Sequence, residues 1–328
     1  MSIFRRHLAS TDRPKPVFYR ILHFIVPICL ITAIILIVGA DDILSRLRSA
    51  DLNWVILAVL ACSVQIVVCA VRWQLTAARL GARMPLTVAI AEYYFGSLIN
   101  TTVPGGVVGD AVRAVRTRSM AGLERAAQSV VIERLAGQIA LGGALVLGLL
   151  LSGRPSLQFF GYATIAGVVV TGIVVWLAPK RFVQPFLPQM IVRFGGAIMD
   201  SWSGLRTAFL QTLYSLVIVA ANIAGFVFAA RATGTIVPFP EMLFAVPLIL
   251  AAMLIPLSVA GWGYREGAAA AVFVLIGAPA AEGVAASVVF GAVILISSLP
   301  GLVVLWLRDK RPTEQSAATD QESHEPAE

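Results

Sequence analysis

Seven stretches of this chain run for 19 residues or more without one Asp, Glu, Lys or Arg: 21–40, 52–71, 135–153, 155–179, 207–230, 242–264 and 283–307. About 20 predominantly apolar residues in helical form cross the hydrocarbon core of a bilayer. Seven such runs cannot all be buried inside one water-soluble domain, so the chain is expected to be an all-α, polytopic integral membrane protein. Its composition agrees. Apolar residues make up 58% and charged residues 13% of the 328 residues, against roughly 45–50% and 25% in soluble domains, and the mean hydropathy is +0.85. That excludes an ordinary soluble enzyme and a disordered chain alike. The first run is not a cleaved signal peptide: its apolar core is too long, and no small-x-small site precedes Asp41 and Asp42.

The chain carries 25 basic and 18 acidic residues, a formal charge of +7. In a membrane protein such a surplus orients loops toward the cytoplasm; no nucleic-acid partner is expected. Cys29, Cys62 and Cys69 all fall in apolar runs. Cys62 and Cys69 lie about 10 Å apart along one helix, too far for a disulfide. The three histidines are scattered at 7, 23 and 324, so neither a histidine-based active site nor a metal or other cofactor is expected.

The distribution of basic residues selects a topology. If 86–104 and 242–264 each cross once, Lys and Arg divide 13 to 12 between the two sides. If 86–104 instead enters and returns on the cytoplasmic side, and 239–281 enters and returns on the outer side, they divide 20 to 5. The second arrangement satisfies the positive-inside rule. It predicts about six full spans plus two re-entrant hairpins, with both termini cytoplasmic. Residues 1–20 form a basic N-terminus, 21–308 a single transmembrane domain and 309–328 an acid-rich, disordered tail. The halves, about 21–153 and 155–308, then have opposite orientations, as in the inverted-topology repeats of transporters. An amphipathic stretch, 190–209, reads as an interfacial helix or a linker helix packed on the bundle.

Both hairpins are interrupted by the same vocabulary. One reads Asn100-x3-Pro104-Gly105-Gly106-x2-Gly109-Asp110-x2-Arg113; the other reads Pro256-x-Ser258-x2-Gly261-x-Gly263-x-Arg265-Glu266. Non-helical backbone survives inside a membrane only where it is buried in protein or lines a watery cavity. Each motif also sets a carboxylate beside an arginine. Asp110 and Arg113 share a face if a helix resumes after Gly109, and the positive end of that helix attracts an anion such as a lipid phosphate. The expected phosphate ligands are Arg113 and Arg265. Asp110 and Glu266 position them or pair with a cationic part of the headgroup, and Asn100 and Ser258 add neutral hydrogen bonds. The plainer reading is that these residues neutralise one another and pin the loops. Glu133 and Arg134 stand at the cytoplasmic start of the third span, as a boundary ion pair or as site members. Glu92 has no partner nearby in sequence, while Arg72, Arg79 and Arg83 read as topology determinants. Pro104, Gly105, Gly106, Gly109, Pro256, Gly261 and Gly263 are the supporting backbone positions.

These segments resemble the lysylphosphatidylglycerol synthase transmembrane, or flippase-like, family. Asn100 to Arg113 is similar to its N-x3-P-G-x2-G-[D/E]-x2-R segment, Val131-Ile132-Glu133-Arg134-Leu135 to its V-x-E-R-L, and Pro256 to Gly267 to its P-x-S-x2-G-x-G-x-R-E-G. The resemblance implies a bacterial inner-membrane protein that moves or displays polar lipids: an anionic phospholipid, a hopanoid or a polyprenyl-phosphate glycan. About twenty residues follow the last span, too few for the soluble aminoacyl-transferase fused to some members, so lipid synthesis is not carried over and no enzyme activity is expected. No G-x-x-x-x-G-K-[S/T] occurs, and so no P-loop ATP engine. The leading expectation is a lipid transporter without its own ATPase, in which Arg113→Gln or Arg265→Gln abolishes transport. The alternatives are an accessory subunit that positions a separate lipid-modifying synthase, or a membrane-embedded transferase using carboxylates such as Glu92 and Glu133.

Overall fold

A computed structural model describes residues 17–177, 189–254 and 260–309. Pro256, Ser258, most of the basic N-terminus and all but the first residue of the tail lie outside the described residues. Among the described residues the chain is helical, with no strand. The helices are α1 (Val17–Val38), α2 (Ala40–Arg48), α3 (Leu52–Arg79), α4 (Leu86–Thr102), α5 (Val108–Arg116), α6 (Arg118–Ala121), α7 (Leu123–Leu151), α8 (Pro155–Leu177), α9 (Gln189–Trp202), α10 (Leu205–Ala232), α11 (Phe239–Ala251), α12 (Tyr264–Leu275), α13 (Ala280–Ser298) and α14 (Pro300–Asp309). Four segments are long and apolar enough to cross a bilayer: α3, α7, α10 and the α13–α14 stretch Ala280–Val304. The α1–α2 pair makes a fifth if counted as one span bent by 96°. Shorter apolar helices cover Pro155–Thr171 and Phe239–Leu254.

The bundle is organised around α3 and α10, which run antiparallel along their length. Trp54 meets Phe228 with ring centroids 5.7 Å apart. Further along, Arg72 donates to Ser215 (2.9 Å), Gln211 to Thr76 (2.9 Å) and Arg79 to Thr207 (2.6 Å). Lipid offers no hydrophobic drive for helices to associate, so close approach and interhelical hydrogen bonds hold such a pair. Gly225, packed against the Cys62 sulfur and the Phe290 ring, is one such approach.

Two helical hairpins fill the spaces left around this pair. In the first, α4 runs in and α5 doubles back. The turn needs Gly105 and Gly106, whose φ values of +102° and +63° favour residues without a side chain. The two arms then touch backbone to backbone, so that a Cβ on Gly109 would fall on the carbonyl oxygen of Gly96. Asn100 Oδ1 accepts from the Gly109 amide at 2.7 Å and closes the tip. At the feet, Arg116 Nε donates to Glu92 at 2.6 Å, and Gln74 near the end of α3 donates to the Met84 carbonyl at 2.8 Å.

The second hairpin consists of α11 and α12. Its tip is built differently. Ala260 is a non-glycine residue at φ +50°, followed by Gly261 at +80° and Gly263 at +86°. Glu266 Oε2 accepts from the Gly263 amide at 2.6 Å and caps α12. Arg154, just past the end of α7, binds both feet: Glu241 at 3.0 Å, and the Leu275 and Ile276 carbonyls at 2.7 and 3.2 Å. The first hairpin therefore opens at the end of the bundle where α3 finishes and α7 begins, and the second at the end where α7 finishes.

Three sequence expectations change. The third span does not begin at residue 135: α7 starts at Leu123, and Glu133 and Arg134 stand well inside it. A search for charge-free runs stops at paired charges that the folded protein tolerates. The 190–209 stretch is not one helix, because it breaks at Ser203-Gly204 and leaves Leu205 and Phe209 on α10. Its first part packs on the bundle through Phe194, Ala197 and Ile198 against Leu80 and Ile132. Arg72 is no boundary residue; it is 1% exposed in the middle of the structure.

Candidate functional site

The tips of the two hairpins approach a common cavity of about 730 Å³. Helices α3, α4, α7, α10 and α13 complete its wall. Gly105, Gly106, Val107 and Asp110 line it from the first hairpin, and Met253, Leu254, Ala260 and Gly261 from the second. Most of the wall is apolar, with neutral polar groups from Gln65, Ser97, Gln138 and Asn222.

One side of the cavity carries a chain of alternating charges. Glu133, 1% exposed, accepts from Arg72 at 2.7 Å through Oε1 and from Arg113 at 3.5 Å through Oε2. Tyr93 donates to the same carboxylate at 3.3–3.4 Å. Arg113 also reaches Asp110 at 3.2 Å, and its guanidinium lies 4.4 Å from the ring centroids of both Trp73 and Tyr93. Asp110 in turn holds Arg134 in a fork, with Nε to Oδ2 at 2.8 Å and Nη2 to Oδ1 at 3.0 Å. Planar guanidinium–carboxylate pairs of this kind fix orientation as well as charge. The sequence Arg72–Glu133–Arg113–Asp110–Arg134 sets three cations against two anions, a surplus of +1. The end member is the accessible one: the Arg134 side chain is 44% exposed and lines the cavity, whereas Arg113 is 1% exposed and does not.

The second motif forms a separate cluster. Arg265 donates to Glu266 at 2.6 Å and to Ser287 at 2.9 Å, beneath the Trp262 and Phe290 rings. A Cβ on Gly291 would collide with this guanidinium, so the helix is bare there to admit it. Arg265, Glu266 and Gly263 do not line the cavity. The two arginines expected to share a phosphate thus each serve a carboxylate within their own cluster. Of the positions selected from sequence, the structure brings Asn100, Gly105, Gly106, Asp110, Glu133, Arg134 and Gly261 to the cavity wall. Pro104, Gly109 and Glu92 stand behind it, Glu92 with Arg116 as a partner.

Sequence reasoning missed Arg72, Trp73 and Tyr93. No spacing could have revealed them, because Arg72 meets Glu133 across 61 positions and Tyr93 meets it across 40. The only signal was that Arg72 interrupts a helix that otherwise continues to Arg79.

The long apolar helices, with a cavity at the hairpin tips that is charged along one side, define a multi-pass helical membrane protein. Residues 24–301 match the family described as the lysylphosphatidylglycerol synthase TM region, and the chain belongs to that family. None of the curated proteins matches it.

Proposed function

We propose that this protein is a lipid transporter of flippase type, carrying a phosphate-bearing polar lipid across a bacterial inner membrane without its own ATPase. The observation that carries this reading is Arg134: the exposed end of a charge chain with one positive charge in surplus, paired with Asp110 and facing a cavity at the tips of two hairpins. Charged groups at membrane depth are costly, and those that face a cavity mark ion or substrate pathways. The headgroup phosphate binds Arg134 while the acyl chains stay in lipid. Asn100 Nδ2, buried without a partner, and the N-terminal end of α5 offer further donors to the anion. Arg113, Arg72, Glu133 and Asp110 hold Arg134 in place.

The re-entrant, inverted-repeat reading belongs to the same proposal. It is supported by the hairpins opening at opposite ends of the bundle and by the antiparallel pairing of α3 with α10, the corresponding helix of each half. Arg79, Arg116, Arg118 and Arg125 gather at the end where the first hairpin opens, which makes that end cytoplasmic under the positive-inside rule.

The test is phosphatidylglycerol movement in proteoliposomes. With acyl-chain-fluorescent phosphatidylglycerol in both leaflets, dithionite bleaches only the outer leaflet's share of the signal in empty vesicles. The purified protein is expected to drive bleaching well beyond that share. Bleaching that stops at the same level with and without protein would overturn the reading, and would favour an accessory role beside a separate synthase.

A further inference from the structure

We propose that the acidic end of this chain, Pro312 to Glu328, docks on a basic face beside the foot of the first hairpin. The point where the chain leaves the bundle is fixed by α14. Ser298, just before that helix, meets Thr101 near the tip of α4 at 3.2 Å. Further on, a Cβ at Gly301 would fall on the Tyr94 carbonyl oxygen and press on Leu98. α14 therefore runs antiparallel to α4, from the tip of the first hairpin toward its foot. From Gly301 to Asp309 a helix advances about 12 Å. The same distance takes α4 from Tyr94 back to Leu86, so α14 ends level with that foot.

Unpaired basic charge collects there. Arg83 lies between α3 and α4, and Arg118 follows Arg116, whose guanidinium is bound to Glu92 on α4. Ala82, Met84 and Ala114 share one buried cluster with Ala121 packed against it, so the segments carrying Arg83 and Arg118 lie side by side. Both arginines are exposed, and neither makes an ion pair or hydrogen bond among the described residues. Arg206, next to the Thr207 that binds Arg79, is a third exposed arginine at this end. The exposed carboxylates near it are Glu124, already 3.9 Å from Arg193, and Asp200.

The chain that continues from α14 carries the opposite charge. After Lys310 and Arg311, residues 312–328 hold Glu314, Asp320, Glu322, Glu325 and Glu328 and no Lys or Arg. Fully extended, this stretch reaches about 56 Å, the width of about five packed helices. A single exposed ion pair is weak. A tethered partner, however, acts at an effective concentration on the order of mM, so a few such pairs hold it. The proposal depends neither on lipid transport nor on which side of the membrane this end faces.

The test uses the full chain with Cys29, Cys62 and Cys69 replaced by serine and with Ser119→Cys and Ser323→Cys added, one copy per nanodisc containing phosphatidylglycerol. Copper phenanthroline then closes a disulfide between the tail and the residue beside Arg118. Closure is expected to slow at least about fivefold as salt rises from about 0.1 to about 1 M, where the Debye length falls from about 10 to about 3 Å. Exchanging the five tail acids for their amides, or Arg83→Gln with Arg118→Gln, should slow it similarly at low salt. The tail amides leave the bundle untouched, so a folding defect cannot produce that result. A tail that is tethered without docking would close at one rate in every case, and that outcome would overturn the proposal. Salt-sensitive closure in phosphatidylcholine nanodiscs that is lost in phosphatidylglycerol would give the face to anionic lipid and overturn it too.

Discussion

Glu133→Gln is expected to be the most destabilising single change in this protein, costing about 3–5 kcal/mol as for one partner removed from a buried ion pair. Glutamine is nearly isosteric, so packing is preserved and only charge is lost. Glu133 is the one carboxylate shared by Arg72 and Arg113. Without it, Arg72 keeps only Ser215 and the Glu133 carbonyl, and Arg113 keeps only Asp110, itself committed to Arg134. Two guanidiniums would be left under-compensated among Trp73, Tyr93 and the helix backbones. Thermal unfolding in detergent micelles reads this as a large drop in midpoint. Glu92→Gln should produce a smaller drop, because its partner Arg116 retains access to water. A midpoint for Glu133→Gln equal to that of the unaltered protein would mean that the charge chain does not hold α3, α5 and α7 together. The same reasoning recasts Arg113→Gln and Arg265→Gln. Each should lower stability by leaving a buried carboxylate short of its partner, so lost transport in either variant would not identify a phosphate ligand.

Arg134→Gln separates binding from folding. Its guanidinium is the exposed end of the chain, and its loss leaves Asp110 paired with Arg113 and Glu133 paired with Arg72 and Arg113. The remaining cluster is two cations against two anions. Stability should change by no more than about 1 kcal/mol, as for an exposed ion pair. Phosphatidylglycerol movement should fall by about tenfold or more, because a charge-assisted hydrogen bond to phosphate is worth about 1.5–3 kcal/mol. Transport rates and thermal midpoints from one preparation check both halves. Unaltered transport with an unaltered midpoint would remove Arg134 from the site.

Much of the fold was legible because long apolar helices announce themselves by the absence of charge. The breaks at the two tips were legible from Pro104-Gly105-Gly106 and Gly261-x-Gly263. The arms of the first were not: residues 86–104 read as entering and returning, whereas α4 carries Leu86–Thr102 one way and α5, Val108–Arg116, brings the chain back. The same criterion failed where charge is internally compensated. α7 continues for twelve residues before residue 135, through Glu133 and Arg134, because their partners come from elsewhere in the chain. The spacing of Asp110 and Arg113 correctly placed them on one face of α5, and the structure pairs them at 3.2 Å. Helical spacing could not say which arginine faces the cavity. That depends on the aromatic rings of Trp73 and Tyr93 closing over Arg113, a contact between α3, α4 and α5 that no local pattern encodes. For the second motif, adjacency put Arg265 next to Glu266, but it gave no sign that Glu266 is spent on capping α12 and Arg265 on Ser287.

In the proposed transport cycle, lipid headgroups pass through the cavity at the tips of the two hairpins. Gln138 lies one helical turn beyond Arg134 on α7 and lines that cavity. In a background with Cys29, Cys62 and Cys69 replaced by serine, Gln138→Cys can be modified with a bulky methanethiosulfonate and released with reductant. Phosphatidylglycerol movement should stop on modification and return on reduction. Complete modification with no change in the rate would mean that headgroups do not pass through this cavity.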